Sequence, residues 1–135
     1  MITGYTTGVF DLFHIGHLNV LRTARSLCDR LIVGVSTDEL MFQYKGRYPI
    51  IPFKERIEII RSLSCVDAVV MREVRDKYEE WKRLKFDVVF VGDDWYGSKE
   101  WKEWEAKLRE INVYVIYLPY TPGRSSTKII ERIRA

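Results

Sequence analysis

His14 and His17 are the only histidines in the chain, and they stand three apart in the segment Gly8-Val9-Phe10-Asp11-Leu12-Phe13-His14-Ile15-Gly16-His17. At a helix start that spacing puts both rings on one face. A glycine-containing turn that opens a helix binds phosphate through backbone N–H groups and the helix dipole. Gly16 lets a phosphate chain approach the backbone closely. Two imidazole donors at such a turn suit transfer at phosphorus, which needs positioning and charge neutralisation more than covalent help. A zinc pair is the competing reading, but no third ligand is placed.

Two other segments carry polar chemistry. Gly92-Asp93-Asp94-Trp95 follows an apolar run, and adjacent carboxylates at a strand end repel unless a cation or hydroxyl donors use them. Thr121-Pro122-Gly123-Arg124-Ser125-Ser126-Thr127-Lys128 enters the last helical stretch, where hydroxyls and backbone N–H groups suit a phosphate chain. Basic residues lie between them: Lys45 and Arg47 in a Gly/Pro loop, then Arg56 and Lys77.

Strand and helix patterns alternate around these segments. Strands are predicted over Ile2–Thr7, Leu31–Ser36, Asp67–Met71, Asp87–Val91 and Val113–Leu118. Helices are predicted over His17–Cys28, Phe53–Leu63, Tyr78–Leu84, Ser98–Glu110 and Ser126–Ile133. Met41–Pro52, with Gly46, Pro49 and Pro52, reads as a loop. Trp101, Trp104 and Leu108 fall on one helical stripe and read as packing. Short apolar strands separated by helices predict an α/β fold: a Rossmann-like, doubly wound five-stranded parallel sheet with helices on both faces. Ligands in such a sheet sit beyond the carboxyl ends of the strands.

The 135 residues read as one domain, 1–135, with 47% hydrophobic and 30% charged residues. Twenty-two basic against 19 acidic residues leave a net charge of +3, which calls for neither a nucleic-acid nor a membrane partner. Cys28 and Cys65 lie in apolar stretches without metal-ligand spacing and read as reduced thiols. With no leader-like pattern and no apolar run long enough to span a bilayer, a cytoplasmic protein is expected.

G-V-F-D-L-F-H-I-G-H resembles the signature of the nucleotidyltransferase superfamily that carries H-x-G-H. G-D-D-W resembles the glycerol-3-phosphate cytidylyltransferases. The resemblance runs from Thr3 to Ile133. It implies cytidylyl transfer from CTP to an alcohol phosphate, with glycerol 3-phosphate giving CDP-glycerol and pyrophosphate, as in teichoic-acid synthesis. It implies Mg2+ with the nucleotide and a homodimer. His14, His17 and Arg124 would be catalytic. Thr7, Gly8, Val9, Phe10, Asp11, Gly16, Arg47, Arg56, Gly92, Asp93, Thr121, Gly123, Ser125, Ser126 and Thr127 would bind the nucleotide. Lys45, Lys77, Asp94 and Trp95 would bind the acceptor. Asp11 would hold the histidine loop by accepting backbone N–H groups. Asp38 would lie near a ribose, and Asp67 also matches a family position. No direct metal ligand is identified.

The last loop departs from the family's R-T-E-G-I-S-T: Tyr120, Pro122 and Arg124 replace arginine, glutamate and isoleucine. S-S-T-K-I also resembles adenylyl-transferring relatives, so an ATP-using adenylyltransferase is one alternative. A choline-phosphate enzyme is another, disfavoured by Thr7 and Cys65 where such enzymes tend to carry Asp and an aromatic. His-Ile-Gly-His is also an aminoacyl-tRNA synthetase motif, but length and charge argue against a tRNA surface. A nucleotide sensor without catalysis is the remaining class.

Overall fold

In a computed structural model, which describes residues 1–92, 97–119 and 126–134, five parallel strands form one sheet. Along the chain run β1 (Thr3–Gly8), α1 (Ile15–Ser26), β2 (Arg30–Ser36), α2 (Asp38–Lys45), α3 (Phe53–Arg61) and β3 (Ala68–Arg72). Then follow α4 (Lys77–Leu84), β4 (Val88–Gly92), α5 (Lys99–Glu110), β5 (Tyr114–Leu118) and α6 (Ser126–Arg134). The strand order is β3-β2-β1-β4-β5. After β1 the chain winds outward through β2 and β3, then crosses back to place β4 on the other side of β1. This is a Rossmann-like doubly wound sheet, and its switch point lies between β1 and β4.

Period-two alternation sorts the strand residues between two cores. Leu31, Val33 and Val35 of β2 pack with Leu21 and Ala24 of α1 and Ile60 of α3. Ile32 of the same strand joins Tyr5, Val89 and Val91, which pack on Trp101 and Leu108 of α5. Helices therefore cover both faces, and the Trp101–Leu108 stripe is core, as its spacing predicts.

Register is fixed at the amino edge by three aspartates, each one residue before a strand. Asp29 accepts the Ile2 N–H (2.6 Å), Asp67 the Leu31 N–H (2.7 Å) and Asp87 the Thr3 N–H (2.8 Å). The N–H of each aspartate donates back to the same neighbouring chain, to the Ile2, Leu31 and Thr3 carbonyls respectively. Asp67 also pairs with Arg25 at 3.0 Å. Asp67 thus lies at the end of the sheet opposite to the carboxyl end, where ligands sit in sheets of this kind.

Most boundaries move by a residue or two from the sequence-based expectation, and two differences have a clear local cause. α1 begins at Ile15 rather than His17, because His14 itself is the N-cap. Residues 38–45, partly assigned to a loop above, form α2. The Thr37 side chain accepts from the Leu40 N–H at 3.1 Å, and Gly46, with φ of 72°, ends the helix in the left-handed region. Gly46 is a helix stop, and Lys45 is the last residue of α2.

Candidate active site

The carboxyl end of β1 leads into a loop with unusual backbone. Phe10 and Leu12 hold φ values of 56° and 49°, a region that bulky side chains rarely enter. Strain of this kind persists where the surroundings over-determine it, and here they do. The Phe10 ring is buried and lies over Gly8, where an added Cβ would sit 3.0 Å from the ring. Asp11, 5% exposed, accepts the Ile50 and Ile51 N–H groups at 2.9 Å each. Asp11 accepts backbone N–H groups as expected, and these two come from the segment that follows α2, so the bonds tie the histidine loop to that segment.

The two histidines cap α1 together. The Gly16 N–H donates to His14 Nδ1 (3.0 Å), and the His14 N–H donates to His17 Nδ1 (3.1 Å). This is a capping box with imidazole in both roles. The rings stack with centroids 4.0 Å apart, and Phe13 stacks on His17 at 5.2 Å. Because each Nδ1 accepts, a neutral ring carries its proton on Nε2. The cap thus sets the tautomer and presents two N–H donors side by side at a helix start. Such a pair can bind anionic oxygens and stabilise charge developing on them.

His17 is held neutral. Burial lowers its pKa from 6.5 to about 4, and His14 adds to the shift while Asp11 opposes it. The unfolded chain therefore binds the extra proton first. The stability contributed by a neutral His17 is complete above pH 6.5 and is lost as pH falls through that window to about 4. His17→Asn keeps an acceptor at the cap but cannot titrate. Its thermal midpoint should fall less between pH 6.5 and 4 than that of the unaltered protein. An equal fall in both, followed by calorimetry, would remove His17 from the transition.

Arg56 is used differently from the expectation that it meets the nucleotide. It is 1% exposed, and its donors are engaged by the chain itself. Nε donates to the Ile51 carbonyl (2.8 Å), and NH1 to the Val9 (2.7 Å) and Ser36 (2.8 Å) carbonyls. NH2 donates to Asp38 at 2.5 Å, which occupies the carboxylate expected near a ribose. One guanidinium therefore ties together the turns after β1 and β2 and the segment before α3.

Lys77, expected on the acceptor, is also buried, at 1% exposed. It enters from the α4/α5 face, donating to Thr7 Oγ1 and Glu80 Oε1 at 3.0 Å each. Tyr5 donates its hydroxyl to the other Glu80 oxygen, and Arg72 Nε lies 3.4 Å from the first. Two cations thus share one buried carboxylate. Burial, with Arg72 adding to it, pulls the Lys77 pKa from 10.5 to about 7, against the pull of Glu80. Gly34 leaves the space for this cluster, since a Cβ there would lie 2.3 Å from the Tyr5 hydroxyl. Tyr5, Arg72 and Glu80 were not singled out in the sequence; the i, i+3 pairing of Lys77 with Glu80 was the available signal.

Lys45 and Arg47 are exposed around Gly46, on the segment that Asp11 and Arg56 tie to the histidine loop. Thr7, Gly8 and Gly92 end β1 and β4 on either side of the switch point. Asp93, Asp94, Trp95, Thr121, Gly123, Arg124 and Ser125 lie outside the described residues, as do the side chains of Ser126 and Thr127. Among the described residues, no three His, Cys, Asp or Glu side chains gather as metal ligands. Among them also, no helix is long and apolar enough to cross a membrane.

Residues 5–132 match the cytidylyltransferase-like family. The chain belongs to that family. Within it, the chain is 44% identical to FAD synthase of Pyrococcus abyssi, over 93% of this chain and 88% of that protein. It is 36% identical to FAD synthase of Korarchaeum cryptofilum, over 93% and 87%. Among solved structures, the lipopolysaccharide core biosynthesis protein from Thermoplasma volcanium superposes with a TM-score of 0.73 at 26% identity, covering 90% of this chain and 97% of that one.

These relatives overturn the expectation of CTP and glycerol 3-phosphate as substrates. The name shared by the Pyrococcus and Korarchaeum relatives is that of an enzyme making an adenine dinucleotide, which favours the alternative of an ATP-using adenylyltransferase. The departure of residues 120–124 from the cytidylyltransferase pattern, with S-S-T-K-I after it, was the signal in the sequence. G-D-D-W, two carboxylates and an aromatic, does not select a polyol acceptor.

Proposed function

We propose that the protein transfers the adenylyl group of ATP to the phosphate of FMN, giving FAD and pyrophosphate. The observation that carries this reading is the 44% identity to an FAD synthase along nearly the whole of both chains. The capped histidine pair supports it chemically. A phosphate oxygen of FMN attacks the α-phosphorus of ATP, and the bond from that phosphorus to the bridging oxygen breaks as pyrophosphate leaves. The nucleophile is already anionic, so no general base is required. In this reading the two Nε2–H groups meet the α-phosphate oxygens and the leaving oxygen, where charge builds up. In the same reading Arg124 and the hydroxyls of Ser125, Ser126 and Thr127 are assigned to the nucleotide's phosphates. Arg56 and Lys77 act from behind, by holding Val9 and Thr7. Mg2+ carried with the nucleotide would neutralise charge on the triphosphate, in keeping with an ion that retains much of its water and prefers phosphate ligands.

The test supplies the purified protein with ATP or CTP, and with FMN or glycerol 3-phosphate, while pyrophosphate and the nucleotide product are followed. FAD and pyrophosphate in equal amounts, from ATP and FMN alone, are expected. Faster turnover with CTP, or no FAD from ATP and FMN, would overturn the reading.

A further inference from the structure

Phe42 of α2 and Tyr48 stack with centroids 4.6 Å apart and planes 19° apart, yet they remain 45% and 59% exposed. Stacked rings normally hide their faces in a core; this pair is open to solvent, with Ile50 beside it in sequence at 55% exposed. The left-handed turn at Gly46 folds the chain so that Tyr48 reaches back to Phe42. The pair is not carried on a free loop. Ile50 and Ile51 donate their N–H groups to Asp11, and the Ile51 carbonyl accepts from Arg56. The rings are therefore anchored to the turn that carries His14 and His17. Lys45 and Arg47, both exposed, bracket the turn with positive charge.

We propose that the Phe42–Tyr48 pair is the platform for the flavin ring of the acceptor, stacked on the open face of Tyr48, with Lys45 and Arg47 drawing in its phosphate. This rests on the reading that FMN is the acceptor. The occupant is chosen by complementarity: a planar ring system joined to a dianion matches an exposed stacked pair flanked by two cations. A second copy of the chain would bring Lys45 and Arg47 against their own kind, and like charges at an interface are unfavourable. Adenine shares the stacking chemistry, and the two are separated by which KM changes.

The experiment compares Tyr48→Ala, Phe42→Ala and Tyr48→Trp with the unaltered protein, measuring KM for FMN and for ATP, kcat, and quenching of FMN fluorescence without ATP. Losing the ring of Tyr48 should raise KM for FMN about ten- to a hundredfold and weaken quenching to match, the range for loss of one stacked aromatic. KM for ATP should stay within about threefold, and Tyr48→Trp should keep tight FMN binding. An unchanged KM for FMN in Tyr48→Ala overturns the platform while leaving FAD synthesis standing. A raised KM for ATP in place of FMN also overturns it. Failure of the unaltered protein to make FAD overturns both the platform and the function beneath it.

Discussion

His14→Asn and His17→Asn are each expected to lower kcat for adenylyl transfer roughly 10²–10³-fold, with KM for ATP within about threefold. The magnitude follows from what asparagine keeps and what it removes. Its side-chain oxygen can occupy the place of Nδ1, so the Gly16 or His14 N–H retains an acceptor and α1 stays capped. What disappears is the Nε2–H, the donor that the proposed function sets against charge building up as the α-phosphorus reacts. A loss in kcat without a loss in ATP binding is the signature of such a donor. Alanine removes the acceptor as well and should add about 1 kcal/mol of instability through the cap. Near-normal turnover in a folded asparagine variant would end the assignment of that histidine to catalysis. Equal losses in kcat and thermal stability would reduce it to a cap.

The largest expected effect on stability belongs to Arg56→Ala. The substitution leaves three carbonyls, those of Val9, Ser36 and Ile51, without their donor, and Asp38 without its cation. Removing one side of a buried charged network costs about 3–5 kcal/mol. For a chain of this size that corresponds to about 10–20 °C in thermal midpoint. Arg56→Lys should recover little of it, because one ammonium cannot reach acceptors arranged around a planar fork. Calorimetry of the two variants decides the matter: a lysine variant as stable as the parent would mean that charge alone, without the fork geometry, holds these turns. Activity should fall with stability, since the histidine turn and the Lys45–Arg47 segment share this anchor.

Much of the fold was legible because apolar runs and helical stripes are local signals. Each predicted strand overlaps the observed one, and Trp101 and Leu108 lie where their spacing puts them. α2 was partly missed because Gly46, Pro49 and Pro52 were read together as loop punctuation, although Thr37 offered a cap and Gly46 alone a stop. The histidine pair was legible from spacing. That its ring nitrogens cap α1 was not, since histidine is not among the favoured capping residues. Arg56 and Lys77 were singled out as cations, but whether a cation faces substrate or is buried depends on partners far along the chain. Val9 lies 47 residues from Arg56, and Thr7 lies 70 from Lys77. The substrate was misread for a different reason. The short acidic motif points to a polyol acceptor and the altered last loop to an adenylyl donor, and the chemistry of both depends on what they surround.

The position of β1 in the middle of the sheet has a consequence for how the protein comes into being on the ribosome. β1 pairs with β2 early in the chain, Thr3 with Arg30, but its other neighbour begins only at Val88, which pairs with Gly4. Pairing between strands so far apart in sequence raises contact order and is slow. A nascent chain long enough to assemble β1, β2 and β3 already contains both histidines, capped on α1, but has one open edge along β1. The β1/β4 switch point beside them forms only after β4 has left the exit tunnel and docked. A truncated or stalled product would therefore carry the histidine turn without its β4 neighbour, and would expose an unpaired strand edge, a surface prone to aggregation.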